Sequence, residues 1–323
     1  MTTAATTRGD AVMTANVTRH EVTIPTPSGD RLDAWLYLPA NGQRRPAVVM
    51  AHGIGGIKAA GLQPFAEHFA AAGFAALAFD YRHWGRSEGS PRELLSIARQ
   101  RDDYRAALTW IRRHDAIDDG RIFIWGTSFA GMHILELAAT ETELAGAIAQ
   151  CPLVDGLAAV LNVSPRRALR LTRAACADLV RAALHAEPVY LPISVAPGEP
   201  GLIATDDALV GLDRLAPSTE EWPNRITARS LLDITRSRPV RHARRVRCPL
   251  LMVVAEQDAM APTARATRAA SRAPRGELYR SRGGHYDVYA GGLDHATVLH
   301  IETDFLLRHA CMLTGSSPNA PQP

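Results

Sequence analysis

The chain has 323 residues, 46% of them apolar and 21% charged, proportions that exclude a wholly disordered or fibrous protein. Its 36 Lys+Arg against 33 Asp+Glu leave a net charge of +3, too nearly balanced to point to nucleic acid as a partner. No run approaches the ~20 consecutive apolar residues of a spanning helix, and the Thr/Ala-rich start lacks the apolar centre of a secretory signal, so a cytoplasmic protein without a membrane span is expected.

In chain order, residues 1–19 read as a disordered tail. Residues 21–24 and 31–38, joined through Pro25-Thr26-Pro27-Ser28-Gly29, predict an antiparallel hairpin. Continuously apolar runs of strand length follow at 47–51, 75–79, 122–125, 145–149 and 250–254, the pattern of strands covered on both faces. Helical stripes lie between them. Leu62, Phe65 and Phe69 precede a stop at Gly73, and Tyr104, Ala107, Leu108 and Ile111 share one face. Residues 132–139 continue the pattern, and Val298, Ile301 and Phe305 make a last apolar stripe. Strand alternating with helix predicts a mostly parallel, twisted sheet with helices on both faces.

The alternation breaks over 155–247. An Arg-studded helix pattern at 165–185, a Pro/Gly-rich stretch at 188–201 and helical fragments near Trp222 predict an inserted helical cap. The expected organisation is therefore a catalytic domain from 20–154 and 248–312, a cap at 155–247 and a disordered tail at 313–323. Arg166, Arg167, Arg170, Arg173 and Arg181 offer either a basic face toward anionic lipid or substrate, or a solvated outer face; the solvated face is the commoner arrangement. Cys151, Cys176, Cys248 and Cys311 lack metal or redox spacing, and Cys151, Cys248 and Cys311, beside apolar runs, read as small buried residues.

The sharpest feature is Gly126-Thr127-Ser128-Phe129-Ala130-Gly131, between the strand run ending at Trp125 and a helix. A serine on so tight a turn needs small residues two before and two after it, which Gly126 and Ala130 supply. Serine then needs a base and the base an orienting acid. His285, in Gly283-Gly284-His285-Tyr286-Asp287 after a strand-like run at 277–279, is the candidate base. Asp258, after the strand at 250–255, is the candidate acid, with Glu256 and Asp155 as alternatives and Asp287 too near His285 in sequence. The order Ser128, Asp258, His285 separates this arrangement from the two unrelated protease orders. His52-Gly53-Ile54-Gly55-Gly56 follows the strand at 47–51, and the backbone N–H groups of Ile54 and Phe129 are the expected oxyanion donors. His52 itself is expected to brace that loop.

These motifs, together with Lys58 and the segment from Phe79-Asp80-Tyr81-Arg82-His83-Trp84-Gly85 to Gly89, resemble the α/β-hydrolase fold of serine hydrolases. The resemblance is to the esterase, thioesterase, polyketide-hydrolase and dipeptidyl-peptidase-like branch. It implies structural roles for Asp80 and Arg82. Family members often carry a glycine and an aromatic where this chain has His83 and Trp84, so these two are expected near the pocket mouth as substrate contacts, with Trp222 as a third. The implied reaction is cleavage of a carboxylic ester or thioester of a small-molecule acyl substrate through an acyl-serine. The alternatives are acyl transfer or cyclisation by the same acyl-enzyme and, further off, a peptidase or a non-catalytic binding protein. No cofactor and no metal are called for, since H-E-x-x-H and G-x-G-x-x-G are absent. Oligomeric state is left open.

Overall fold

The computed structural model describes residues 17–40, 43–161, 163–217 and 220–312. The expected tails lie outside these residues, except that strand β1 (Val17–Pro25) already begins at Val17. Residues 17–19 are thus part of the sheet rather than of a tail, because Val17 to Arg19 pair with Pro39 to Tyr37 of β2 (Arg31–Pro39). The strands β3 (Arg45–Ala51), β4 (Ala75–Phe79), β5 (Ile117–Thr127), β6 (Gly146–Gln150), β9 (Leu250–Ala255) and β10 (Gly276–Ser281) complete an eight-stranded sheet of order β1-β2-β4-β3-β5-β6-β9-β10. β2 is antiparallel to β1 and to β4, and every other pairing is parallel.

The apolar runs became central strands because both faces of the sheet are covered. Ala47, Val49, Leu77, Ile124 and Met252 point to one side, where α2 (Ile97–Arg112), α3 (Ala130–Thr140) and α8 (Thr263–Arg272) pack. Val48, Met50, Phe123, Trp125 and Val253 point to the other, under α1 (Gln63–Ala71) and α9 (His295–Met312). α1 stops at Gly73 as expected, with φ +99° and its N–H on Ala70 O. Strand order reverses at β3: the chain steps to β4 on one side and then to β5 on the other. That switch point opens a crevice outside the carboxyl ends of β3 and β5, where a ligand is expected in such sheets.

The excursion between β6 and β9 holds α4 (Gly156–Leu161), α5 (Pro165–Ala183), α6 (Ala208–Leu215) and α7 (Ser230–Arg236). It is not wholly helical, since β7 (Tyr190–Pro192) and β8 (Arg225–Thr227) form a small antiparallel pair. Its last part, a 3₁₀ segment at Pro239–Arg245, belongs to the body: Val240, Ala243 and Val246 lie in the same core as Leu135 and Ala269. Arg238 closes the base of the excursion with a two-pronged contact to buried Asp155, at 2.9 and 3.0 Å. Cys151 and Cys248 are buried as expected, but Cys311 is exposed, because it occupies the solvent side of the last turn of α9. Among the described residues no helix is long and apolar enough to cross a membrane.

Candidate active site

Ser128 stands between β5 and α3 with φ +55°, a strained conformation for a residue with a side chain. Its backbone is held on three sides. The Ser128 N–H donates to Gln150 O at 2.7 Å, while Ser128 O accepts from Gly131 and Leu153 N–H, both at 3.0 Å. The small neighbours are a steric requirement. A Cβ on Gly126 would lie 2.7 Å from Ile134 Cγ1 and 2.9 Å from Ala130 Cβ, and one on Gly131 would lie 2.2 Å from Pro152 Cβ. Ala130, in place of a glycine, fits with its methyl group buried.

The structure brings Ser128, His285 and Asp258 together from three loops. His285 Nε2 is 3.0 Å from Ser128 Oγ, and Nδ1 is 2.8 Å from Asp258 Oδ2. The other oxygen, Oδ1, accepts from the Met260 and Ala261 N–H groups at 2.9 and 2.8 Å, so this carboxylate is oriented by its own turn. Burial pushes the His285 pKa down, but the charge and hydrogen bond of Asp258, with a further contribution from Asp207, outweigh it and leave it raised. The alternative acids are engaged elsewhere. Asp155 pairs with Arg238 and accepts from Ala158 N–H at the start of α4, and Asp287 accepts from Gly284 N–H at 2.8 Å. Glu256 is exposed.

The loop after β3 lies against the serine. A Cβ on Gly53 would come 2.9 Å from Ser128 Cβ, so the absence of a side chain lets this backbone touch the elbow. Ile54 follows it and borders the same cavity as Ser128 and Phe129. His52 is buried, with Nδ1 3.0 Å from Gly53 O and its ring edge-on to Tyr81, which makes it the brace expected. Burial lowers its pKa. Gly55, at φ +63°, meets Ile193 of the excursion, and its carbonyl accepts from Trp222 Nε1 at 2.5 Å.

Lys58, the only lysine, is fully buried between Asp80 and Asp33, and Asp80 also accepts from the Lys58 N–H at 2.6 Å and Arg86 N–H at 3.1 Å. Arg82 is clamped to Asp103 at 2.6 Å. Asp80 and Arg82 thus hold the turn after β4. His83 and Trp84, expected at the pocket mouth, are instead buried and border neither space at Ser128. His83 Nδ1 reaches Pro91 O and Nε2 meets Arg99 Nη1, both at 3.0 Å, and burial beside Arg99 drives its pKa to about 4. Trp84 Nε1 donates to Leu94 O at 3.0 Å. Both side chains turn inward to close the segment that follows them, which the residue types alone do not reveal.

Two spaces meet at Ser128 and His285. The larger, about 350 Å³, is walled mostly by apolar side chains such as Leu153, Leu171, Ala175, Leu202, Leu231 and Met260, with Arg167, Thr172, Thr205 and Thr235 as polar members. The smaller, about 50 Å³, is bordered by the glycine loop, Ser194, Trp222, Asn224 and Tyr286. Of the expected substrate contacts, only Trp222 borders either space. Several neighbours were not anticipated. Tyr289 OH lies 2.5 Å from Thr127 Oγ1 under the elbow, and Gln150 Nε2 donates to the same hydroxyl at 3.1 Å. Asp207, at the start of α6, comes beside the Gly284–Tyr286 loop. No spacing rule ties these residues to Ser128. Among the described residues, the group of side chains close enough to surround a metal is Cys151 with Asp258 and His285, whose imidazole and carboxylate already bond each other.

A reversed-order sheet carrying a strained serine at its switch point defines an α/β-hydrolase. The chain belongs to the family described as serine aminopeptidase, S33, whose model matches residues 42–286. It is 39% identical to the quorum-quenching protein AidA of Acinetobacter baumannii over 91% of this chain and 96% of AidA. It is 30% identical to the polyketide transferase GrgF of a Penicillium species over 92% of this chain and 99% of that protein. The crystal structure of GrgF, described as an alpha/beta hydrolase, superposes with a TM-score of 0.79 over 91% of this chain and 99% of its own.

Proposed function

We propose that the protein cleaves a carboxylic ester or thioester with an apolar acyl group, through an acyl-Ser128 intermediate. The observation that carries this reading is the hydrogen-bonded series Ser128–His285–Asp258 at the end of an apolar cavity. As Ser128 Oγ attacks the carbonyl carbon, His285 Nε2 takes its proton and Asp258 stabilises the imidazolium. That proton then passes to the departing alcohol or thiol. Water next attacks the acyl-serine, with His285 taking its proton and returning it to Ser128 Oγ. The Ile54 and Phe129 N–H groups are assigned to the developing oxyanion: one lies on the loop pressed against Ser128, the other at the opening of α3, where unpaired N–H groups favour negative charge. The larger space suits the acyl chain and the smaller the departing group.

The relatives support this class of chemistry. A thiohydrolase, AneE of Aspergillus aculeatus, is 37% identical over 43% of each chain, and the quorum-quenching and polyketide-transferase relatives share nearly the whole length. The test is a screen of ester and thioester substrates with mass detection of acylated Ser128. Turnover undiminished in Ser128→Ala overturns the reading. A second reading, transfer of the acyl group to an alcohol or amine in place of water, is favoured by the separate small space beside Ser128, which an acceptor could enter. Product analysis with and without such acceptors distinguishes the two.

A further inference from the structure

Helix α5 is the most exposed long helix of the excursion. Of its residues only Ala175 and Asp178 are fully buried, and its inner side, through Ala168, Leu171 and Ala175, forms part of the wall of the apolar cavity. Its outer side is not the polar surface that a solvated helix presents. Leu169 is 53%, Leu179 47% and Val180 59% exposed, and Leu184 just past the helix end is 73% exposed. At about 3.6 residues per turn, Leu169 and Val180 fall in one outward sector, with Arg173, Arg166 and Arg170 in the sector beside it, while Leu179 lies nearer the edge of the cavity wall, next to Ala168. The helix carries five arginines and one carboxylate. That carboxylate, Asp178, is buried and occupied by the Val189 and Arg229 N–H groups at 2.9 Å, so the exposed charge is entirely positive. Among the described residues, Arg166, Arg170 and Arg173 have no carboxylate at ion-pair distance.

We infer that this outer face of α5 docks the enzyme on an anionic lipid surface. Three observations select that occupant. Adjacent apolar and arginine sectors on one exposed helix match the boundary between acyl chains and anionic headgroups. A second copy of the chain meeting this face about a two-fold axis sets arginines against arginines, with no exposed carboxylate on the helix to offset them. Thr172 is exposed and also lines the cavity at Ser128, so the cavity opens along this helix and a docked enzyme presents that opening to the lipid. An apolar acyl substrate then reaches Ser128 from the bilayer.

The test is co-sedimentation of the full chain with phosphatidylcholine vesicles, with and without phosphatidylglycerol. Binding to the anionic vesicles, and its weakening by salt, is the expected result. Leu169→Glu and Val180→Glu are expected to reduce that binding by about tenfold or more. Arg170→Glu and Arg173→Glu should each reduce it by on the order of fivefold or more. All four side chains are exposed and outside the cavity wall, so turnover of a soluble short-chain ester should stay at the wild-type level and report intact folding. Failure of the active wild type to bind anionic vesicles overturns the inference, as does binding that these variants leave unchanged. A dimer detected by light scattering and dissolved by Val180→Glu overturns it in favour of a second copy.

Discussion

The α/β body and the excursion that covers it are built on different terms. In the body, β3, β4, β6 and β9 are buried almost without exception, and the elbow at Ser128 is held by three backbone hydrogen bonds and by glycines that cannot accept a methyl group. In the excursion, α5 buries only two residues; the excursion joins the body through Ile193, Ile226, Leu231 and Ile234, which enter the body's core, and through polar ties such as Arg238 to Asp155 and Trp222 to Gly55 O. Close-packed interiors resist change at every atom, whereas a helix exposed along most of its length, as α5 is, can change its residues with little cost to the rest. The difference assigns the reaction to the body and the choice of substrate to the excursion.

The largest effects should therefore come from the body and fall on kcat. Ser128→Ala is expected to lower kcat/KM by roughly 10⁴–10⁶ and to abolish labelling by a fluorophosphonate. Asp258→Asn should cost roughly 10³–10⁴. The same change should move the acidic limb of the pH–rate profile. With Asp258 in place, the raised pKa of His285 puts that limb above the ordinary histidine value, and activity is lost as pH falls through it. Removal of the carboxylate should shift the limb to lower pH, and an unmoved limb would show that another group titrates. Gly53→Ala places a methyl group against Ser128 Cβ and should lower kcat by about 10²-fold with little change in KM.

A smaller effect, on stability alone, is expected from buried Glu302 of α9. Its Oε2 accepts from Trp125 Nε1 at 2.9 Å, and burial raises its pKa from 4.5 to about 8. The folded state therefore holds a proton that the unfolded chain releases at lower pH. The stabilising contribution is complete below pH 4.5 and is lost as pH rises through about 8. Glu302→Gln should remove that dependence and be the more stable form above pH 8, by on the order of 1–3 kcal/mol in denaturant titrations, with activity near wild type. The smallest effect belongs to the excursion. Trp222→Phe deletes the bond to Gly55 O and should raise KM by about fivefold while leaving kcat nearly unchanged. A fall in kcat comparable to that of Gly53→Ala would break the division between body and excursion.

Much of this arrangement was legible in the residues. The central strands and α1, α2, α3 and α9 follow from apolar runs and stripes, because covered strands and one-sided helices need those patterns wherever they occur. The elbow was legible because its constraint is local: a positive φ between strand and helix demands small residues at fixed offsets, and Gly126 and Ala130 stand there. The acid was only partly legible. Asp155, Glu256 and Asp258 all follow strands, and what separates them is whether each finds Arg238, solvent or His285.

His83 and Trp84 show the limit most plainly. Their residue types suit a pocket mouth, yet Pro91, Leu94 and Arg99 draw both side chains inward, through contacts that no local pattern encodes. The arginines of α5 were equally visible, but their standing beside exposed leucines depends on which side of the helix the excursion turns toward the cavity. By itself the sequence determined the strand–helix rhythm, the serine turn and the order of the three candidate residues, because these obey rules of neighbouring residues. The tertiary structure alone decided which carboxylate meets the imidazole, which aromatics reach the substrate space and which face of α5 is left to the outside. Those outcomes depend on how segments pack in space, whether near in the chain, as His83 and Pro91 are, or far apart, as Ser128 and His285 are.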